Sequence, residues 1–68
     1  MTRKDYEMIA ATIREAQVRV AETVPSDAEA STQLRGVRRA AAHLATAFMI
    51  DNSRFDTVRF LKACGYGA

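Results

Sequence analysis

The chain has few side chains of the kinds that perform catalysis. His43 is its only imidazole and Cys64 its only thiol. On a helical wheel His43 falls about 150° from the centre of the apolar stripe, so we expect it to face solvent with no catalytic partner. We expect Cys64 in the last turn of a helix, where the helix dipole raises a thiol pKa, and predict that it packs as a small apolar residue. The sequence therefore favours a protein that is not an enzyme.

Oxygen ligands cluster once, in a polar segment near the C-terminus. The spacing lacks the glycine and the terminal glutamate of a calcium loop, and capping of a following helix accounts for the same residues. One cysteine and one histidine also exclude a zinc site built on Cys and His pairs within the chain. We predict neither a metal nor a cofactor. The cluster consists of Asp51, Asn52, Ser53 and Asp56.

Charge is distributed unevenly along the chain. Residues 1–34 hold four basic and six acidic side chains, whereas residues 35–68 hold six basic and two acidic ones. This asymmetry suits contacts with nucleic-acid phosphates, although no helix-turn-helix type of turn precedes the basic residues. It equally suits two halves of the chain, or two subunits, that attract each other, which is the interpretation that we favour. The candidate nucleic-acid contacts are Arg35, Arg38, Arg39, Arg54, Arg59 and Lys62.

The core predicted from the composition is thin. The 68 residues include 33 apolar ones, but 13 of these are alanine. In chains shorter than about 70–80 residues, one core seldom supplies more than about 3–5 kcal/mol, and a lone cysteine provides no disulfide. We therefore expect the core to be small or to be shared with another subunit.

The composition predicts a cytoplasmic protein that does not enter a membrane. The charged start lacks the apolar run of a signal peptide. The uncharged segment 40–50 has 11 residues, whereas a membrane span needs about 20. We expect the lone thiol to stay reduced in that compartment.

Apolar periodicity predicts a single all-α domain over 1–68, a hairpin of two long helices with a short third. From Tyr6 to Val24 apolar residues recur every three or four positions, which predicts helix 1 over 3–24. A capping box of Thr2 and Asp5 begins it, and Pro25 ends it.

Helix 2 is predicted over 27–50, where apolar residues again recur every three or four positions. Ser26 is its predicted N-cap, with Glu29 reaching back to complete a capping box. Gly36 inside the helix costs about 1 kcal/mol relative to alanine. It marks either a close helix crossing or a tolerated weakness.

The third helix is predicted over 57–64. Asp56 is the expected N-cap, and Phe55 and Phe60 occupy the positions of a hydrophobic staple. Gly65 suits the left-handed residue that closes a helix, and we expect residues 66–68 to fray.

The apolar surface of helix 2 extends over half its circumference, more than helix 1 alone would cover. Helix 3 would cover the excess through its aromatic residues, or a second copy would cover it in an antiparallel two-fold dimer with a four-helix bundle core. The thin core favours the homo-oligomer, and hence a function by binding. The predicted protein interface consists of Val37, Ala41, Leu44, Ala45, Phe48 and Met49.

Both ends of the chain resemble a family of short uncharacterised proteins from tailed bacteriophages and prophages of actinobacteria. The similarity covers residues 2–6 (TRKDY) with Ile9, and then the pattern DNxRFD…RFLxACG over 51–65, where the family often has proline in place of Ser53. It carries no catalytic motif and no site residue. The resemblance implies a phage accessory protein of the host bacterial cytoplasm, either a modulator of a host protein or a regulator that acts on DNA.

Overall fold

The computed structural model describes residues 1–67 as three α-helices. They are α1 (Arg3–Thr23), α2 (Asp27–Asp51) and α3 (Thr57–Ala63), and no strand occurs within the described residues. The predicted all-α class, with two long helices and a short third, is confirmed, and each helix end lies within one residue of its predicted position. None of the helices described is long and apolar enough to cross a membrane.

Side-chain caps start the two long helices. At α1 the predicted capping box forms, because Thr2 Oγ1 accepts from the Asp5 backbone N–H (3.4 Å) and Asp5 Oδ2 accepts from the Thr2 backbone N–H (2.8 Å). At α2 the hydroxyl of Ser26 accepts from the Glu29 backbone N–H (3.4 Å). The Glu29 side chain makes no return bond in the described chain, so the second half of that predicted capping box was wrong.

The N-terminus of α3 forms as its sequence predicts. Asp56 Oδ1 accepts from the Arg59 backbone N–H at 3.0 Å, so Asp56 is the N-cap. The rings of Phe55 and Phe60 lie 5.6 Å apart between centroids, which is the predicted hydrophobic staple. Both contacts set the angle at which the chain turns from α2 into α3.

The C-terminus of α3 is a Schellman motif that holds Tyr66 in place. Gly65 has a φ of +97°, its N–H donates to the Lys62 carbonyl (3.0 Å), and the Tyr66 N–H donates to the Leu61 carbonyl (2.8 Å). Tyr66 is consequently half-buried, so the prediction that it frays was wrong. Ala68 lies outside the described residues.

A small core forms where all three helices meet. Its buried members are small except for one phenylalanine, and the partly buried rings of Tyr6, Phe48 and Phe55 pack against it. Centroid distances among these aromatic rings run from 4.6 to 5.6 Å, within the range of favourable aromatic pairs. The buried residues are Ala10, Ala41, Ala45, Phe60 and Cys64.

The core occupies only one half of the hairpin. Seven residues give α3 a length of about 10 Å, whereas the 21 residues of α1 extend about 31 Å. The part of the hairpin that α3 does not reach therefore consists of two helices only. Apolar residues of this part are half-buried: Val20, Val24, Ala30, Leu34 and Val37.

Gly36 lies in open space. A Cβ built on it would have no atom within 4 Å apart from its own helix and chain neighbours. Of the two alternatives that the sequence left open, the structure supports the tolerated weakness and excludes a close helix crossing.

Candidate interaction surface

The predicted interface residues divide between the interior of the monomer and its surface. Ala41 and Ala45 are 0% and 3% exposed, and Phe48 packs against the rings of Phe55 and Phe60. The assignment of Ala41 and Ala45 to an oligomer interface was therefore wrong, whereas Phe48 packs within the monomer but stays half-buried. The reason is that α3 docks beside α1 and acts as the second neighbour of α2.

The other predicted interface residues keep more exposure. Leu44 and Met49 are 36% and 45% exposed, and Val37 is half-buried. Neither of the two grooves described below includes any of these three residues.

A groove of about 560 Å³, called here the hairpin groove, begins where α3 ends. It lies between the C-terminal half of α1 and the N-terminal half of α2, in the part of the hairpin that has no third helix. Both apolar and polar side chains line it. The apolar residues are Ala21, Val24, Ala30 and Leu34, and the polar ones are Gln17, Asp27, Ser31, Arg35, Arg38 and Tyr66.

Polar contacts fix the end of the hairpin groove that adjoins α3. Gln17 Nε2 donates to the carbonyl oxygen of Cys64 at 2.7 Å. The guanidinium carbon of Arg38 lies 5.7 Å from the ring centroid of Tyr66, within the range of a cation–π contact. Burial of the Tyr66 side chain and, to a smaller extent, the nearby Cys64 raise the pKa of Tyr66.

A second groove of about 580 Å³, called here the N-terminal groove, lies at the opposite end of α1. Three arginines, two acids and three aromatic rings are among the residues that line it: Arg3, Arg54, Arg59, Glu7, Asp56, Tyr6, Phe55 and Phe60. One of these cations is already paired, because Arg3 Nε lies 3.3 Å from Glu7 Oε1 on the surface.

The structure separates the six predicted nucleic-acid contacts. Arg35 and Arg38 line the hairpin groove, whereas Arg54 and Arg59 line the N-terminal groove. The remaining two, Arg39 and Lys62, line neither groove. The basic half of the sequence therefore does not form one continuous patch around either groove.

The two potential catalytic groups differ in their exposure to solvent. His43 is exposed on α2, whereas Cys64 is fully buried and burial raises the pKa of its thiol. In the polar cluster, Asn52 Oδ1 accepts from the Arg54 backbone N–H (3.1 Å), and Asp56 caps α3. Among residues 1–67, no three His, Cys, Asp or Glu side chains are grouped closely enough to hold a metal ion.

Sequence reasoning missed the hairpin groove. Its residues carry no sequence motif. The only pattern that points to it is the apolar periodicity of helices 1 and 2, which continues past the part of the hairpin that a short helix 3 is able to cover. No family model, curated protein or solved structure matches this chain.

Proposed function

We propose that this chain is a small non-enzymatic protein that acts by binding other proteins and that self-associates as a dimer. The observation that carries the proposal is the hairpin groove, where apolar residues between two helices have no third helix to cover them. In helical bundles such residues are normally covered by a further helix. A partner chain supplies that helix here.

The shape of the monomer supports a missing partner. Its accessible surface is 5231 Å², whereas a compact monomer of 7.5 kDa exposes about 4,200 Å². Its radius of gyration is 12.7 Å, compared with about 11 Å for a compact domain of this length. The excess area of about 1,000 Å² is comparable with the ~800 Å² that each partner buries in a standard interface.

The resemblance at the two ends of the chain supports a biological setting. It favours a phage accessory protein in the host bacterial cytoplasm, with a host protein as the target that the phage protein modulates. A host target would be captured from lysate by the wild type and lost with a groove variant. That pattern would show that the target binds the dimer that forms through the hairpin groove.

Replacement of either of two exposed alanines of α1 by glutamate tests self-association. Ala21 is exposed and lines the hairpin groove, whereas Ala11 is exposed on the same helix away from both grooves. We expect sedimentation at tens of micromolar to find a dimer for the wild type and for Ala11→Glu, and a monomer for Ala21→Glu, because a buried charge opposes association. A wild type that stays monomeric at these concentrations would overturn the proposal of self-association.

The N-terminal groove supports a second candidate function, binding of DNA or RNA. Arginines beside aromatic rings are the combination that binds single-stranded nucleic acid. Fluorescence anisotropy with single-stranded DNA at low salt tests this function, because phosphate contacts are strongest there. The double variant Arg54→Ala/Arg59→Ala should weaken binding, whereas Arg19→Ala, whose partner Glu15 is on the same helix, should not. Absence of wild-type binding at low salt would exclude this function.

A further inference from the structure

Four groove residues of α2 form one stripe along the helix. Asp27, Ser31, Leu34 and Arg38 follow each other at steps of four, three and four residues, and all four line the hairpin groove. This spacing keeps them on one face of the helix. The stripe carries an acid at one end, a cation at the other, and a small and an apolar residue between them.

We infer that the hairpin groove binds the hairpin of a second copy in one antiparallel register, with the two-fold axis between Ser31 and Leu34. Asp27 then faces Arg38 of the partner subunit, and Arg38 faces the partner subunit's Asp27. Asp27 and Arg38 lie 11 residues apart, about 16 Å along α2, and the axis crosses the midpoint of that distance. The inference rests on the proposed self-association and adds its surface, direction and register.

Charge complementarity selects this direction. In a parallel arrangement of the same faces, Asp27 would face its own copy, and so would Arg38. Like charges at close range oppose association, whereas the antiparallel arrangement makes two opposite-charge pairs from one surface. A two-fold interface uses the same patch on both subunits, which is what a stripe with opposite charges at its ends provides.

Arg38 is already held in position within the monomer. Its guanidinium already lies over the Tyr66 ring, which the Schellman motif holds in place. A cation held in this way loses less conformational freedom on binding. The antiparallel arrangement also extends the α3-containing half of each subunit away from the axis, so that only the two-helix halves overlap.

Charge reversal tests the register. Asp27→Arg or Arg38→Asp alone turns both cross-subunit pairs into like-charge pairs. We expect each variant to raise the dissociation constant of the dimer at least about tenfold at low salt, a change of about 1.4 kcal/mol. Analytical ultracentrifugation or isothermal dilution calorimetry measures this constant. In the double variant Asp27→Arg/Arg38→Asp both pairs are restored with exchanged signs, and the dissociation constant should return to within about threefold of the wild type.

Two neighbouring positions provide matched controls. Glu29 is in the same first turn of α2 as Asp27 but lies outside the groove, and Arg39 follows Arg38 outside the groove. Glu29→Arg and Arg39→Asp should leave the dissociation constant within about threefold of the wild type. Helical circular dichroism equal to that of the wild type should accompany every variant, because all four side chains are exposed.

The outcomes separate the register from the self-association. A wild-type dimer that is insensitive to both single reversals, or that the double reversal does not restore, overturns the register while self-association stands. A wild type that is monomeric overturns both the register and the self-association. This holds even if the hairpin groove of that monomer binds a host protein. Weakening by the two single variants with recovery in the double variant supports the register.

Discussion

Gln17 Nε2 donates a hydrogen bond of 2.7 Å to the backbone carbonyl oxygen of Cys64, and this bond ties α1 to the end of α3. The two residues are 47 positions apart, whereas every other side-chain hydrogen bond within residues 1–67 joins positions four or fewer apart. The bond is partly buried. It fixes α3 at the point where the hairpin groove begins.

Loss of this bond should loosen α3. We expect Gln17→Ala to lower the free energy of unfolding by about 1–3 kcal/mol, because the Cys64 carbonyl loses its side-chain donor in a partly buried site. Urea unfolding followed by circular dichroism measures this change. The control is Gln33→Ala at an exposed position of α2, for which a change within about 0.5 kcal/mol is expected. Equal effects of the two variants would contradict the prediction.

The cluster of four aromatic rings (Tyr6, Phe48, Phe55 and Phe60) should provide much of the stability. Phe60 is 4% exposed and packs edge-on against Phe48, so Phe60→Ala should cost about 3–5 kcal/mol and leave a protein of this size largely unfolded. Val58 on the same short helix is 71% exposed, and Val58→Ala should change the stability by less than about 0.5 kcal/mol. Thermal unfolding of both variants tests the placement of α3. A folded Phe60→Ala protein would contradict it.

Gly36 and Gly65 should respond in opposite directions to replacement by alanine. Gly36→Ala should raise the free energy of unfolding by about 1 kcal/mol, because the site is helical and a Cβ meets open space there. Gly65→Ala should lower it, because φ at this position is +97° and the added methyl would lie 3.4 Å from Gln17 Oε1. Urea midpoints of the two variants, compared with the wild type, measure both changes. A destabilising Gly36→Ala would indicate a close neighbour at that face.

Stability should fall in alkaline solution. Burial raises the pKa of both Cys64 and Tyr66, so the folded state holds these protons more tightly than the unfolded state. The free energy of unfolding should therefore be level below the ordinary thiol pKa of about 8.5 and decrease as pH rises above it. Urea unfolding between about pH 7 and pH 10 measures the slope. Cys64→Ala should show a shallower decrease, and an unchanged slope would contradict the contribution of the thiol.

Native Cys64 should also react slowly with thiol reagents. Its side chain is fully buried, and the raised pKa keeps it in the unreactive neutral form. Modification by a maleimide at neutral pH should be complete within minutes in denaturant but should follow the rate of local opening in the native protein. Rapid labelling of the native protein would contradict the burial of Cys64.

The sequence by itself determined the helices, because the signals that start, continue and stop them act over a few residues. Thr2, Ser26 and Asp56 each cap a helix from within three residues, and the apolar periods place both long helices. The left-handed Gly65 also depends on its neighbours alone. These local signals account for helix ends correct to within one residue.

The tertiary structure decided how the apolar surface of α2 is used. From the sequence, α3 and a second copy were both able to cover that surface, and the interface was placed on Ala41 and Ala45. Docking of α3 through Phe60 and through the bond from Gln17 to Cys64 buries both alanines within the monomer. The open surface is therefore displaced to the hairpin groove. Contacts between residues tens of positions apart decide this outcome, because the docking of α3 depends on side chains of all three helices, which no local pattern specifies.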